Sequence, residues 1–446
     1  MDLRPVGLAA LAAVGGTAFP LALAPTSPTP GIAFVDVSVI PMTTAGVREH
    51  QTVLVRGDAI VAVGDLKTVD VPKAARVIDG RGRFLIPGLM DVHVHLMEQG
   101  DLDQFLASGV TTVRNLTGSP EVLEWRRAVA DGVRPGPRIV TSGPLFAGPE
   151  IAWREKVVPS DGRSARAEVR RQKDAGYDLI KIYDGLAPEV YSAIVDEAAQ
   201  LRMRVTGHIP ERVGLAKVLR ARQNLEHTDK LVFDVWGHSF DPTRIDSVAA
   251  AIRTAGVFVT PTIASMEQIA RIGGGRFDSL LARPEARRAG PETIGFWCAV
   301  SSRMQGHRAR PTKGRFDPWT DFQLQVIAGE RRAGVPLVAG SDYPNAALAA
   351  GSGLLEELRA LTDAGLSPFE ALAAATVTAA RAIGDSTSGY IAPGGRADLV
   401  LLPANPLTDL RALDRNEGVM AAGRWFSRDE LDRRAPRRTG PPVCSS

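Results

Sequence analysis

Two histidines, His93 and His95, stand one residue apart at the end of the apolar stretch 84–96. Val92 and Val94 alternate with them, and this period of two predicts a β-strand, in which alternate side chains point to the same face. The two imidazoles can therefore bind one ion, since neutral imidazole is a common ligand of zinc and similar metals. A single His-x-His pair is weak evidence, and two histidines on a solvated strand face are the alternative.

Four more ionisable side chains lie in or at the end of predicted strands. Lys181 lies inside the sequence Leu-Ile-Lys-Ile-Tyr, while His208, His227 and Asp342 each close a strand. If these strands are parallel and close into a barrel, their carboxyl ends meet at one mouth, where all the side chains converge. Packing alone does not explain why metal-binding residue types recur at that end of several strands.

A lysine inside an apolar strand is costly to bury unless its amine is neutralised or paired. A carbamate formed with carbon dioxide would turn Lys181 into a bridging anion, and such a bridge requires two metal ions roughly 3.5–4 Å apart. The alternatives are that Lys181 is an ordinary ion-pair partner and that Asp342 is the N-cap of a following helix.

The elements that would position these side chains alternate between strand and helix over residues 88–388. Helical patterns at 188–202 and 243–255 separate predicted strands, and the second pattern spaces its apolar residues along one helix face. Together with the His-x-His strand, eight strands are expected, which indicates an α/β protein with a (β/α)8 TIM-type barrel. The other strands are predicted at 109–116, 137–142, 178–184, 204–209, 224–228, 257–263 and 336–342.

Short alternating strands separated by Gly and Asp turns occupy residues 32–87. They are too few to be stable alone. Residues 389–427 offer further strands, so the two segments are expected to form one small β-sandwich domain.

The stretch 265–330 interrupts the strand–helix alternation and is basic around Arg303, Arg308 and Arg310. A long insertion after a barrel strand is often a lid or a substrate wall. A solvated helical decoration is the equal alternative. A lid of this charge favours an anionic group on the substrate.

The two ends of the chain differ from its middle. Residues 1–24 predict an export signal, with an apolar run and small residues at the cleavage site, and residues 25–31 predict an extended linker. The protein is therefore expected to be periplasmic or secreted, without stable membrane insertion after signal removal. An N-terminal membrane anchor is the alternative. The charged tail 428–446 is predicted to be flexible.

Composition narrows the class of protein. The chain has 446 residues, 44% of them hydrophobic, which is typical of a globular protein with more than one domain. A formal net charge of +3 is too small to indicate a nucleic-acid partner. Two cysteines, Cys298 and Cys444, exclude a disulfide scaffold and a cysteine-only metal site. A disulfide between them is disfavoured, because Cys444 lies in the tail predicted to be flexible.

The ordered set of motifs resembles the amidohydrolase superfamily, in its imidazolonepropionase-like and Xaa-Pro dipeptidase-like branch. The resemblance runs from about Ile32 to about Phe426. One departure is Ser341, where members often carry Thr, and the insertion 265–330 has no match. The matching motifs are Leu85–His95, Asp178–Gly185, Gly207–Pro210, Leu225–His227, Gly340–Asp342, Glu356–Leu361, Ala364–Thr376 and Gly389–Val400.

The resemblance implies a site with two divalent metal ions, with zinc as the expected element. His93, His95 and Asp342 are then ligands of the more buried metal, and His208 and His227 are ligands of the more exposed one. The resemblance also implies that carboxylated Lys181 bridges the metals. Asp342 would be the catalytic base that takes a proton from the bridging water.

Two further residues are weaker candidates for contacts with a small-molecule substrate. Tyr183 shares the strand face of Lys181 and is a candidate donor to the oxyanion or carboxylate of the substrate. A packed aromatic at the rim is the alternative. His238 follows the sixth predicted strand on the same side, with a surface-loop histidine as the alternative.

These inferences lead to a metal-dependent hydrolase that cleaves the C–N bond of a small substrate, such as a dipeptide or an N-acyl amino acid, by metal-bound hydroxide. The choice of substrate follows from the resemblance. Hydrolysis of a cyclic amide, lactone or organophosphate at the same site is an alternative. A one-metal deaminase and a non-catalytic metal- or ligand-binding barrel are others, and a homo-oligomer is left open.

Overall fold

The computed structural model describes residues 31–237, 239–305, 318–436 and 439–444, with the side chains of 303–305 left out. The predicted export signal and linker, His238, Arg308 and Arg310, and the side chain of Arg303 lie outside this described part. No helix among the described residues has the length and apolar character needed to cross a membrane.

Strands and helices alternate over most of the described chain. The strands are β1 (Ile32–Val39), β2 (Arg48–Arg56), β3 (Ala59–Asp65), β4 (Arg76–Asp79), β5 (Phe84–Pro87), β6 (Leu89–Val94), β7 (Val110–Asn115), β8 (Arg138–Thr141), β9 (Leu145–Phe146), β10 (Lys156–Val157), β11 (Leu179–Ile182), β12 (Arg204–Gly207), β13 (Asn224–Glu226), β14 (Val259–Thr260), β15 (Leu399–Leu402), β16 (Gly418–Ala421) and β17 (Arg424–Ser427). The α-helices are α1 (Asp101–Ala107), α2 (Pro120–Ala130), α3 (Gly162–Asp174), α4 (Pro188–Gln200), α5 (Leu215–Arg220), α6 (Thr228–Trp236), α7 (Ile245–Ala255), α8 (Ile263–Gly273), α9 (Phe277–Leu281), α10 (Pro291–Gln305), α11 (Pro318–Arg332), α12 (Ser352–Asp363), α13 (Pro368–Ala374), α14 (Val377–Ile383) and α15 (Arg428–Arg434).

The first five strands and the last three form one sheet, in the order β17-β16-β15-β5-β1-β2-β3, with β4 paired to β1. Strands β5 and β15 join the two ends of the chain by antiparallel pairing, with Leu85 opposite Leu401. Phe34 and Trp425 pack edge to face in its core, with ring centroids 5.3 Å apart. The prediction was a small β-sandwich, whereas the structure pairs all eight strands in one continuous sheet.

Parallel pairings link β6, β7 and β8, and a second set links β11, β12, β13 and β14. Isolated bridges connect the two sets to each other and to residues 337–343: Ser142 with Leu179, Val259 with Leu337, and Tyr343 with Val94. These seven strands and segment 337–343 are called the ring below. The α/β class predicted from the sequence is confirmed.

Segment 337–343 is less regular than the strand predicted at 336–342: it forms isolated bridges at Leu337 and Tyr343 and backbone hydrogen bonds to β6, such as the one from the Val92 N–H to the Ala339 carbonyl at 3.1 Å. Its backbone lies very close to β6. A Cβ atom on Gly340 would lie 2.6 Å from Cβ of His93, so only glycine fits there. Asp342 then has a positive φ of 60°, which ends the extended conformation.

Helices connect the ring segments and cover them. The predicted helix at 188–202 is α4, which begins with Pro188 at a position where a missing backbone N–H costs nothing. The predicted helix at 243–255 is a short 3₁₀ turn followed by α7, whose buried face includes Ala249 and Ile252. Both predictions of helix are confirmed.

The tail predicted to be flexible is ordered as far as it is described. Ser427 caps α15 by accepting a hydrogen bond from the Glu430 N–H, and Leu431 is fully buried in a cluster with Leu106. Beyond this helix, Cys444 forms a disulfide with Cys298 of α10. The expectation that the two cysteines stay unpaired is therefore wrong, because the tail returns to the body of the protein.

Candidate metal centre

The six ionisable residues singled out from the sequence meet at one end of the ring. Asp342 Oδ1 lies 3.4 Å from His93 Nε2 and 3.3 Å from His95 Nε2, and the ligand atoms of this trio lie within 4.8 Å of one another. The rings of His93 and His227 have centroids 4.4 Å apart, and those of His208 and His227 have centroids 4.9 Å apart. The four imidazoles and the carboxylate thus share one site, called the floor below together with Lys181.

Each imidazole of the floor has a polar partner at Nδ1. A partner at one ring nitrogen fixes the orientation of the ring and directs the other nitrogen to the centre. Three of the partners are within hydrogen-bonding distance, namely Glu226 Oε2 at 2.8 Å from His93, Thr117 Oγ1 at 2.8 Å from His95 and Thr262 Oγ1 at 2.8 Å from His227. Asp184 Oδ1 lies 3.1 Å from His208 Nδ1 as an ion-pair neighbour, without the geometry of a hydrogen bond.

Two of the Nε2 atoms that face the centre, those of His93 and His208, are buried and have no hydrogen-bond partner in the described part of the chain. Because Glu226 accepts from Nδ1 of His93, Nε2 of that ring keeps its lone pair. Burial lowers the pKa of His208 to about 4 and that of His93 well below its usual value, so both rings are neutral. Buried nitrogens of this kind need a partner, and a cation fits the donor set.

Lys181 is fully buried in β11, and its Nζ atom has no hydrogen-bond partner among the described residues. Burial lowers the pKa of its amine to about 8, against the opposing effect of Glu226 and Asp342. Burial and, after it, the charge of Lys181 lower the pKa of His93. A buried amine of this kind is costly unless it is neutralised or paired.

Asp342 is held by both of its oxygens. Oδ1 faces the imidazoles, while Oδ2 accepts hydrogen bonds from Asn345 Nδ2 at 3.0 Å and from Ser265 Oγ at 3.3 Å. Burial would raise the pKa of this carboxyl group, but His227 and the neighbouring imidazoles lower it well below its usual value. The group is therefore an anion that contributes acceptor atoms to the floor.

Asp91 connects the two ring segments that carry His93 and Asp342. Its Oδ2 accepts from Ser341 Oγ at 2.6 Å, and its Oδ1 accepts from the Ser341 N–H at 2.9 Å. Ser341 thus supplies a hydroxyl to Asp91 at the position where the resemblance often implies threonine.

Glu226 directly precedes His227, and strict strand alternation would point its side chain away from the mouth of the ring. Instead it faces the inside of the ring, where it lies 2.8 Å from His93 Nδ1 and accepts from Arg114 Nη2 at 2.5 Å. His227 has left the strand, with a φ of 70°, so its imidazole also reaches the floor. Arg114 lies in the predicted strand 109–116, and an arginine in such a strand indicates a carboxylate partner, which the structure identifies as Glu226.

A cavity of about 540 Å³ lies over the floor. Its lining includes two unlike groups of residues. One group is polar and includes Glu150, Tyr183, Asp184, Asp229 and Lys230. The other group, called the wall below, is apolar and consists of Met266 and Ile269 of α8 with Phe296 and Val300 of α10.

The wall belongs to the insertion 265–330, so the described part of the insertion contributes to the lining of the cavity. Its lining residues are apolar, in contrast to the basic character expected from the sequence. Lys230 is the cation that lines the cavity within the described ranges, and its Nζ lies 3.1 Å from Asp184 Oδ2. The arginines that favoured an anionic substrate group lie outside the described part.

Tyr183 lines the cavity as expected, with its ring centroid 3.9 Å from that of His208. Burial raises the pKa of its hydroxyl, which therefore keeps its proton and can donate. Trp153 was not singled out from the sequence. It stacks on His95 at 4.9 Å between centroids, and no spacing in the chain relates the two residues.

The chain is similar to known hydrolases over most of its length. The amidohydrolase family model matches residues 84–426. An imidazolonepropionase from Symbiobacterium thermophilum is 26% identical over 464 aligned positions, which cover 90% of this chain and 91% of that protein.

Two solved structures extend this similarity. A bottromycin amidohydrolase is 25% identical with a TM-score of 0.72, covering 91% of this chain and 88% of its own. A Xaa-Pro dipeptidase is 18% identical with a TM-score of 0.68, covering 89% of this chain and 100% of its own, and this likeness is one of fold.

Proposed function

The chain belongs to the amidohydrolase family, in the imidazolonepropionase-like and Xaa-Pro dipeptidase-like branch, and from this premise we propose a metal-dependent hydrolase that cleaves the C–N bond of a small amide. The preferred substrate is a dipeptide or an N-acyl amino acid. One observation carries the proposal: four buried imidazoles, an anionic aspartate and a lysine without a hydrogen-bond partner among the described residues lie together, and His95, His208, His227 and Asp342 of this set line one cavity.

The ring is, in this proposal, the eight-stranded barrel of the family, and the floor lies at the carboxyl ends of its strands. His93, His95 and Asp342 would hold one cation, and His208 and His227 a second. Divalent cations, with zinc preferred, would supply a nucleophile from water at neutral pH and would polarise the scissile carbonyl.

Lys181 would join the two subsites as a carbamate. The neutral amine forms an N–C bond to carbon dioxide and loses a proton to solvent, which leaves one anionic group in place of the amine. Its complete burial without a partner supports this step, because an anion between cations removes the cost of an isolated buried amine.

Asp342 is the proposed catalytic base. Its Oδ2 is occupied by Asn345 and Ser265, which leaves Oδ1 directed towards the imidazoles and the cavity. That oxygen would accept the proton of the attacking water and pass it to the leaving nitrogen. The pairings at Nδ1 hold the imidazoles still during this transfer, as Glu226 does for His93.

The polar residues of the lining would orient the substrate. Tyr183 carries a protonated hydroxyl near the floor and is placed to donate to the developing oxyanion or to a carboxylate. Lys230 offers a cation for the carboxylate of a dipeptide or N-acyl amino acid. His238 is retained from the sequence as a candidate substrate contact outside the described residues.

A cyclic amide is the second candidate substrate, because the imidazolonepropionase relative covers 90% of the chain. A lactone or an organophosphate would use the same floor. A non-catalytic binding protein is less well supported, since Asp342 and all four imidazoles are present together. A one-metal deaminase would have no use for a buried lysine at Lys181.

We also propose that the protein is exported, periplasmic or secreted, with an N-terminal membrane anchor as the alternative. The Cys298–Cys444 disulfide supports export, because such bonds persist in oxidising compartments. Cell fractionation with an antibody to the folded domain distinguishes these outcomes. Recovery of the protein from the cytoplasm would contradict export.

A substrate screen tests the function. The mature chain, loaded with zinc, is incubated with dipeptides, N-acyl amino acids, cyclic amides, lactones and organophosphates, and hydrolysis is followed by mass spectrometry. Cleavage of a dipeptide or an N-acyl amino acid is the expected result. A protein that binds metal and hydrolyses none of these amides would contradict the proposal.

A further inference from the structure

The wall of the cavity is built from side chains that are apolar and incompletely covered. Met266, Ile269 and Phe296 are half-buried, and Val300 is buried next to them. All four line the same cavity as His95, His227 and Asp342. Partly exposed apolar side chains that line a cavity next to polar site residues are typical of a surface that a bound small molecule covers.

The wall is held rigidly against the floor. Behind it, α10 packs into a separate apolar cluster with α8 and α9 that includes Trp297. The Trp297 indole N–H donates to the carbonyl of Pro344 at 2.7 Å, and Thr293 Oγ1 lies 2.6 Å from the Tyr343 hydroxyl. These contacts attach α10 to the two residues that directly follow Asp342. The position of the wall relative to the candidate base is therefore fixed.

Trp153 faces the wall across the cavity. Its ring is nearly parallel to that of Phe296, with an interplanar angle of 24° and centroids 6.3 Å apart. Trp153 also stacks on His95, so the aromatic surface continues from the floor to the wall. Trp153 therefore offers an apolar surface that contacts both the candidate metal ligand His95 and the wall residue Phe296.

We propose that the wall and Trp153 form a specificity subsite for a bulky uncharged side chain of the amide substrate, aliphatic or aromatic. This inference rests on the proposed function and narrows its substrate class. The charged residues of the lining outside the floor are Glu150, Asp184, Asp229 and Lys230, and none of them belongs to the wall or to Trp153. A charged side chain placed against the wall would lose its hydration without gaining a partner, whereas an apolar one would gain contacts.

The test compares dipeptides in which one residue is varied between glycine, leucine, phenylalanine, lysine and glutamate, at each position in turn. Because a single methylene in an apolar pocket is worth about 10–200-fold in discrimination, kcat/KM for leucine or phenylalanine should exceed that for glycine by at least about tenfold at one position. Lysine and glutamate at that position should be poor. A preference for a charged residue, or none, would overturn the inference.

Two variants locate the subsite. Phe296→Ala should reduce the ratio of leucine to glycine kcat/KM by about tenfold, and Phe296→Leu should restore most of it. The matched control is Phe233→Ala, since Phe233 is 49% exposed on α6, outside the cavity lining. It should leave the ratio unchanged. An equal loss for all substrates in Phe296→Ala would mean that Phe296 only supports the fold, and would overturn the inference.

A binding measurement separates this inference from the proposed function. Calorimetry of the full chain with free L-leucine and glycine as probes should show tighter binding of leucine, and Phe296→Ala should remove the difference. Discrimination between the probes, together with no hydrolysis of any amide in the substrate screen, would support the subsite and contradict the proposed function. Hydrolysis of an amide without discrimination between leucine and glycine in either measurement would support the proposed function and contradict the subsite.

Discussion

The floor and the wall of the cavity are built on opposite principles. On the floor, imidazoles, an amine and a carboxylate are buried together, and each imidazole has a polar neighbour at Nδ1. On the wall, Met266 and Phe296 are apolar side chains, and packing against neighbouring apolar clusters sets their positions. The difference indicates that the reaction takes place where buried polar groups need a partner. Substrate selectivity is expected where apolar side chains remain partly exposed to the cavity. Changes on the floor should therefore abolish turnover, and changes on the wall should alter only which substrate is used.

The largest effect is expected on the floor, at Asp342. Asp342→Asn keeps the size of the side chain but removes its charge and its capacity to accept a proton. Since general-base catalysis contributes up to about 10⁴-fold, kcat/KM should fall by at least about 10³-fold for every substrate.

The matched control for Asp342→Asn is Asp246→Asn, because the Asp246 side chain is 84% exposed on α7. It should retain full activity. If Asp342→Asn lowered activity for leucine substrates alone, this would contradict the claim that the floor acts on every substrate and that only the wall selects among them.

A smaller effect is expected one contact away from the floor, at Glu226. Glu226→Gln weakens the hydrogen bond that orients His93 and leaves the charge of Arg114 less compensated. Metal affinity should drop by about 10–100-fold, and excess zinc should restore most of the activity. Chelator competition measures the affinity.

The control for this change is Glu124→Gln, a substitution at an exposed glutamate of α2. Unchanged metal affinity is expected for it. Loss of activity in Glu226→Gln without any change in metal affinity would contradict the positioning role of Glu226.

The smallest effect on turnover is expected behind the wall, at the disulfide between Cys298 and Cys444. Cys298 lies on α10, between the two residues that line the cavity, Phe296 and Val300. Replacing both cysteines by serine should lower the free energy of unfolding by about 2–4 kcal/mol, because the unfolded chain is less constrained. Urea titration measures this loss, and KM for leucine dipeptides should rise while kcat changes little.

Reduction of the wild-type protein by dithiothreitol serves as the comparison for the serine variant and should reproduce both effects. A fall in kcat with unchanged KM would instead mean that the disulfide affects the floor. That result would contradict the separation of roles between floor and wall.

The floor could be found from the sequence because its residue types carry chemistry and its positions follow the strands. His93, Lys181 and Asp342 lie inside or at the ends of segments with a clear apolar pattern. Once these segments are assumed to be strands of one ring, the three residues are predicted to meet. The contact of Glu226 with His93 could not be predicted in this way, because strand alternation fails where His227 takes a positive φ, and the residue types do not reveal that local change of the backbone.

The wall could not be found in the same way. Phe296 and Trp153 are 143 positions apart, and their approach depends on how α10 docks beside Pro344. Apolar residues in a helix predict burial, but they do not reveal which of them face a cavity. The pairing of Cys298 with Cys444 was missed for the same reason, since it depends on the path of the tail after α15.

Metal content per chain tests the central claim most directly, namely that Lys181 completes a floor that holds a pair of ions. The wild-type protein and Lys181→Ala are purified side by side with zinc and bicarbonate, and bound metal is measured by mass spectrometry after removal of free ions. The account predicts about two ions per wild-type chain and about one or fewer in the variant. A wild-type chain that holds no more than one ion, or a variant that holds as many as the wild type, would contradict it.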